Sequence, residues 1–273
     1  MKVHVLVENS SKPDGPTGEH GLSLYIEMKK QVILFDTGQG DRFVNNAKIM
    51  NIDLSEVDLA VISHGHYDHG GGIKAFLIVN KYAPIYIHSR AFEPHLSLKA
   101  DGRYADIGLD SKLKSNDRMI LVNEDTKITN NTLLFCDVEN NHSIPWGNQG
   151  LLTGTEKDPV PDDFEHEQNL ILKENGKIVL ITGCSHRGIW NIVTKAKEII
   201  GRYPDTIIGG FHLHRWSGDE EELKDIQKLS EMLLSTGSQY YACHCTGKSA
   251  YEQMKLIMTD NLQTLETGTV LDL

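Results

Sequence analysis

The sequence predicts an α/β protein built as one domain of layered sheets and helices. Three observations carry that expectation. The first 63 residues are rich in short β-favouring runs, and the second half alternates strand-like with helix-like segments. The chain has 273 residues, of which 39% are hydrophobic and 24% charged, which is globular composition and enough for a sizeable core. No repeat, low-complexity tract or linker divides it, so 1–273 reads as a single domain.

The elements follow in order. Residues 3–7, 23–27 and 32–35 are short β-favouring segments, and 57–63 is an apolar run of the length of a buried strand. A glycine-rich turn leads into a helix over 73–82 and a strand at 85–88. Residues 89–118 are polar and weakly patterned. Residues 140–166 hold Pro145, Pro159 and Pro161 without a period. Both stretches read as loop insertions, the second with the length of a lid or binding loop. Asn175-Gly176 is a turn signal between strands 169–173 and 177–182. An amphipathic helix spans 188–200, with Ile189, Ile192, Val193, Ala196, Ile199 and Ile200 on one face, and Gly201 and Pro204 end it. Strand 206–208, helix 219–234 with Glu220, Glu221 and Glu222 in its first turn, strand 239–242, helix 249–258 and a last strand at 270–273 complete the rhythm.

Charge and cysteine content narrow the function classes. With 27 Lys+Arg against 38 Asp+Glu the formal charge is −11, which disfavours nucleic acid and anionic membrane surfaces as partners. No apolar run approaches the roughly 18–20 residues that span a bilayer. The four cysteines (Cys136, Cys184, Cys243 and Cys245) are too few for a disulfide scaffold in so long a chain, so a reducing cytoplasm is the expected location. The composition is unusual in one respect: 13 His stand against 7 Phe and 7 Met.

Part of that surplus sits in one motif. Ser63-His64-Gly65-His66-Tyr67-Asp68-His69-Gly70-Gly71-Gly72 puts four candidate metal ligands within six residues, directly after a buried strand. Imidazole and carboxylate suit zinc and related divalent ions. His64 and His66, two apart in extended backbone, can point to one side. Asp68 and His69 fall where the chain turns into a helix and can face a second ion. The glycines permit tight turns around both. Other motifs fail: Gly247-Lys248-Ser249 lacks the earlier glycine of a phosphate loop, with Ala242 in its place, and His166-Glu167 lacks the second histidine of a zincin helix, with Leu170 there.

His-x-His-x-Asp-His after an apolar strand resembles the signature of the metallo-β-lactamase superfamily, and His64, His66, Asp68 and His69 match it without departure. Phe35-Asp36-Thr37-Gly38 is similar to that family's first motif. The resemblance implies a four-layer αββα sandwich with two metal ions at one edge of the sheets, the first two histidines serving one ion, Asp68 and His69 the other, and Asp36 bracing the loop. Zinc is the default, and iron or manganese suits the same ligands. Where members commonly have Thr-Gly-Asp, this chain has Thr182-Gly183-Cys184-Ser185-His186, so Cys184 or His186 is the next ligand, with His166 a third choice. The family's last histidine corresponds to His244 in Cys243-His244-Cys245-Thr246-Gly247, where the flanking cysteines read as packing groups. His212, after Gly209-Gly210-Phe211, would line the pocket and touch substrate or leaving group. Asp68 and His212 are thus the candidate catalytic residues. His4, His20, His88, His95, His142 and His214 have no such context.

Together with Glu19-His20-Gly21-Leu22-Ser23 and Gly210-Phe211-His212-Leu213, these motifs resemble one branch of the superfamily over residues 19–247. The resemblance implies a metal-dependent hydrolase acting with an activated water on an ester, phosphoester or related bond of a small molecule, with anionic or phosphorylated compounds among the candidates. That branch also contains a transferase that joins a dihydropterin methyl diphosphate to an arylamine ribose phosphate and releases pyrophosphate. A non-catalytic metal or ligand sensor on the same fold is the reading from a different class, and a homo-oligomer is compatible with all three.

Overall fold

The computed structural model describes residues 1–142 and 145–273; positions 143 and 144, inside the 140–166 expectation, lie outside the described residues. These residues form two compact units. The first comprises Met1–Glu124, Gly150–Gln168 and Glu266–Leu273, and the second Asp125–Gln149 and Asn169–Leu265.

The first unit is built on a seven-stranded sheet in the order Val270–Asp272, Lys2–Val7, Ser23–Met28, Gln31–Phe35, Leu59–Ile62, Ile85–His88, Met119–Val122. The first four strands pair antiparallel, and from Gln31–Phe35 onward the pairing is parallel. The apolar run predicted at 57–63 is the fully buried strand Leu59–Ile62, as a parallel strand with covered faces requires. Helices Arg42–Ile49 and Ile73–Val79 supply Phe43, Ala47, Ile73 and Phe76 to one core with Leu34, Ala60, Ile62 and Ile85.

The second unit repeats this plan in the same order along the chain, antiparallel strands first and parallel strands after. Its seven-stranded sheet runs Leu262–Thr264, Gln239–Ala242, Thr206–Gly209, Lys177–Ile181, Asn169–Glu174, Thr132–Phe135, Thr126–Lys127. The first four strands are parallel and the rest antiparallel. Helix Ile189–Ile200 buries Ile189, Ile192, Val193 and Ala196, the predicted face, against Leu180, Ile207 and Tyr240. Gly201 ends it at φ 81°, the left-handed cap that glycine adopts without a Cβ penalty.

The two weakly patterned stretches contain the main surprise. His95–Leu98 and Tyr104–Asp106 from the first join Leu151–Thr155 and Asp158–Pro161 from the second in a four-stranded antiparallel sheet of the first unit. Each strand is 3–5 residues long, too short for alternation to stand out, and the pairing of 95–98 with 151–155 is non-local.

Candidate metal centre

In both units the predicted site residues follow the carboxyl ends of parallel strands, the edge where open α/β sheets place their ligands. Asp36 follows Phe35 and His64 follows Ile62 and Ser63; in the second unit Cys184 and His186 follow Ile181, His212 follows Gly209 and His244 follows Ala242. Asp36, Ser185, His212 and His244 have φ of 59°, 57°, 53° and 50°. Left-handed backbone at non-glycine residues is sparsely populated and concentrates at functional turns.

The first unit brings His64, His66, Asp68 and His69 together, all buried. The imidazole centroids of His64 lie 4.6 Å from His66 and 4.2 Å from His69. Asp36 organises the cluster. Its carboxylate accepts from the Ser63 backbone N–H at 2.7 Å, the Ser63 hydroxyl at 2.8 Å and His69 Nδ1 at 2.6 Å. The Ser63 hydroxyl proton is committed to Asp36, so its oxygen accepts from His64 Nδ1 at 2.8 Å. Both histidines therefore carry a proton on Nδ1, so that in the neutral form each presents the Nε2 lone pair that a metal requires. Burial disfavours a charged His69, yet the Asp36 and Asp68 carboxylates outweigh it and hold its pKa above the ordinary value. Burial, reinforced by His166, pushes His66 well below the ordinary value, so it stays neutral.

The Glu19–Ser23 segment contributes more than its sequence implies. A Cβ on Gly21 would sit 2.5 Å from the Asp68 carbonyl, and Leu22 donates its N–H to that same oxygen at 3.2 Å. His20, without context in the sequence, lies with Nε2 3.1 Å from Asp68 Oδ2. The same carboxylate oxygen is 3.8 Å from His69 Nε2.

The second unit gathers the remaining candidates into two overlapping groups. Ligand atoms of Cys184, His186 and His212 lie within 4.8 Å of one another, and so do those of Cys184, His244 and Cys245. Asn148 clamps His186: its Oδ1 is 2.8 Å from His186 Nδ1, and its Nδ2 donates to the His186 carbonyl at 2.8 Å. This fixes His186 as the Nδ1–H tautomer, with Nε2 as its donor atom. Asn148 was invisible to sequence reasoning because it comes from the 140–166 stretch. The strand ends at Ala242 and His244–Thr246 is a 3₁₀ turn, so Cys243 and Cys245 flank His244 in a turn and not in a strand. Cys245 Sγ faces the Cys184 carbonyl at 3.6 Å. His166 belongs to the first unit and is not an open donor. Its Nδ1 accepts from the Gly65 N–H at 2.9 Å and its Nε2 lies 3.3 Å from Asp162 Oδ2.

Buried imidazoles with a carboxylate in the first unit, and buried imidazoles with thiols in the second, are each donor sets that fit a divalent transition ion. The fold and this chemistry agree with comparisons to known proteins. The family model of the metallo-β-lactamase superfamily matches residues 16–190, and the chain belongs to that superfamily. It is an enzyme of that fold. Among individual proteins it is similar to the 7,8-dihydropterin-6-methyl-4-(β-D-ribofuranosyl)-aminobenzene-5'-phosphate synthase of Methanocaldococcus jannaschii, with 27% identity covering 99% of this chain and 96% of that one. It is also similar to the crystal structure of Tm1679, described as a metal-dependent hydrolase of the β-lactamase superfamily, with 30% identity, coverage of 100% and 99%, and a TM-score of 0.82. YhfI of Bacillus subtilis shares the fold at 12% identity and a TM-score of 0.58, with 99% of each chain covered.

Proposed function

We propose that the protein is a metal-dependent hydrolase that cleaves an ester, phosphoester or related bond in a small, anionic substrate. The observation that carries this reading is the Asp36-braced cluster, in which His64 and His69 are held in the ligand tautomer within a buried, glycine-lined turn. His64, His66, Asp68 and His69 are the core ligands, and the strand-end residues His186 and His244 are likewise metal ligands, with Cys184 the competitor of His186. Two divalent ions are proposed, zinc by default, with iron or manganese suiting the same donors.

When bound, such ions supply an activated water and positive charge for the substrate oxygen. The chain's own residues do the rest. Asp36 orients His69 directly and His64 through Ser63, Asn148 orients His186, and burial keeps His66 neutral. His212 is proposed to contact the substrate or its leaving group. Among the described residues no helix is long and apolar enough to cross a membrane. Four cysteines in a chain of 273 residues are in keeping with a cytoplasmic location.

A second reading, transfer rather than hydrolysis, is favoured by the full-length similarity to the methanogen synthase. A cavity of about 270 Å³ in the second unit, lined by Trp146, Trp190, Phe211 and Met232 with Asp225 and Lys228, has the flat apolar walls and polar groups that suit an aromatic heterocycle. Both readings are tested together. Metal-reconstituted protein is assayed on phosphodiester, phosphomonoester and carboxylic ester panels, and for pyrophosphate release from a dihydropterin methyl diphosphate with an arylamine ribose phosphate. Hydrolysis on a panel supports the first reading and arylamine-dependent pyrophosphate release the second. His66→Ala and Asp68→Ala are expected to lose metal and at least about 100-fold in activity. Full activity in both variants would sink the metal-dependent mechanism.

A further inference from the structure

Beyond the predicted ligands, the first unit holds a second buried cluster that no motif announces. His95 opens a strand of the four-stranded sheet, and Asp162 and His166 follow the strand that ends at Pro161. Their side chains are 1%, 2% and 2% exposed. The hydrogen bonds among them have a definite direction. The Gly65 N–H donates to His166 Nδ1 at 2.9 Å, so the His166 proton is on Nε2, facing Asp162 Oδ2 at 3.3 Å. Asp162 Oδ2 also faces His95 Nδ1 at 2.9 Å, and its Oδ1 accepts the Phe164 N–H at 2.8 Å. With Oδ1 accepting from Phe164 and Oδ2 from His166, Asp162 acts as the acceptor of the cluster, and His95 donates to it from Nδ1, which leaves the His95 lone pair on Nε2.

That Nε2 is buried and, among the described residues, has no hydrogen-bond partner. A buried acceptor left unsatisfied is costly, so its presence calls for a ligand. It faces the His64-Gly65-His66 backbone. A Cβ on Gly65 would sit 2.6 Å from His95 Nε2 and would clash with the Ala91 carbonyl. Only glycine leaves this approach open. The His66 and His95 ring centroids are 5.5 Å apart. The candidate donor atoms of His66, His95, Asp162 and His166 all lie within 4.8 Å of one another. Two zinc–nitrogen bonds laid end to end span about 4.2 Å, a distance comparable with that spacing.

We propose that His95 Nε2 is a further metal ligand, binding a divalent transition-metal ion together with His66, and that Asp162 and His166 form the brace that fixes its tautomer. The pattern is carboxylate–histidine–metal, with His166 tying the carboxylate to the Gly65 backbone. The inference rests on the reading of His66 as a metal ligand given above. His166 then serves as a positioning residue, both of its nitrogens being engaged.

The test uses the full chain, stripped of metal and titrated with Co²⁺ and Zn²⁺. In the wild type, ¹⁵N spectra of the histidine rings are expected to show the His95 Nε2 resonance move to a metal-bound position on saturation. In His95→Gln one Co²⁺ equivalent is expected to bind at least 10-fold more weakly, with a changed visible absorption band. Asp162→Asn is expected to weaken the same ion by about 10–100-fold while retaining the band. An unmoved His95 resonance in metal-saturated wild type, or an identical band and affinity in folded His95→Gln, overturns the inference and leaves the hydrolase reading intact. Wild type that binds no divalent ion at all overturns that reading, and the inference with it.

Discussion

At the residue scale Asp36 carries the heaviest load in the first unit, because three donors converge on one buried carboxylate. Asp36→Asn keeps the volume and removes the charge. In the loaded protein this is expected to weaken metal binding about 10–100-fold, as loss of a histidine-orienting carboxylate does, measured by competition with a chromophoric chelator. In the metal-free protein the sign with pH follows from His69, whose folded pKa is raised. A raised pKa means the folded state holds that proton more tightly than the unfolded chain. The resulting stability is fully present below the unfolded value of about 6.5 and is lost as pH rises through the folded value. The stability gap between metal-free wild type and Asp36→Asn, of order 1–3 kcal/mol at low pH, is therefore expected to narrow as pH rises. A gap that widens in denaturant titrations at increasing pH would contradict the His69–Asp36 account.

At the scale of elements, the site is set by where parallel strands stop, and the sheet that carries them is closed at one edge by the short strand Val270–Asp272. Its pairing joins Lys2 to Asp272, Val3 to Leu271 and His4 to Val270. Thr267 adds a reciprocal pair with Glu8, accepting its N–H at 2.8 Å and donating to its carbonyl at 3.0 Å. Deleting residues 266–273 leaves Lys2–Val7, with Val3 and Val5 fully buried, as an open edge that templates association. Several backbone hydrogen bonds at about 0.5–1.5 kcal/mol each are lost. The melting midpoint is expected to fall by roughly 5–15 °C, with concentration-dependent aggregation by light scattering; an unchanged midpoint would assign the sheet's stability elsewhere. The elements that carry the site are the ones legible in the sequence. Leu59–Ile62 is an unbroken apolar run, Lys177–Ile181 is apolar after its first residue, and the helix Ile189–Ile200 has a clean apolar face. Helix Arg42–Ile49 is not legible: its sequence RFVNNAKI holds two asparagines, and Asp41 makes no side-chain cap. The His64–His69 cluster can be read because its ligands are contiguous. The roles of His20, His95, Asn148 and Asp162 cannot, because each meets its partner only after distant segments fold together.

For the whole molecule the question is what the ligands cost when no ion is bound. The chain carries a formal charge of −11, and its first unit buries Asp36, Asp68 and Glu167 beside His64, His66 and His69. Buried carboxylates are costly without a compensating cation. A proton on His69 offsets part of that at low pH, and a divalent ion offsets more. An ion that binds the folded chain alone stabilises it by RT ln(1 + [L]/Kd), about 2.7 kcal/mol at a hundredfold excess over Kd. For a chain of this size that raises the melting midpoint by roughly 5–10 °C per ion. Unfolded cysteines and histidines that retain some affinity reduce the gain. The ion must displace the proton that His69 prefers to keep, so binding releases protons and tightens as pH rises. Chelation is therefore expected to lower the melting midpoint, and the drop is expected to be larger at pH 8 than at pH 6. Calorimetry of the loaded and stripped protein at both values, with metal content measured by mass spectrometry, gives the comparison. A stripped protein that melts with the loaded one, or a drop that grows toward low pH, would mean that the buried histidine–carboxylate cluster is satisfied by its own hydrogen bonds and that its design is structural.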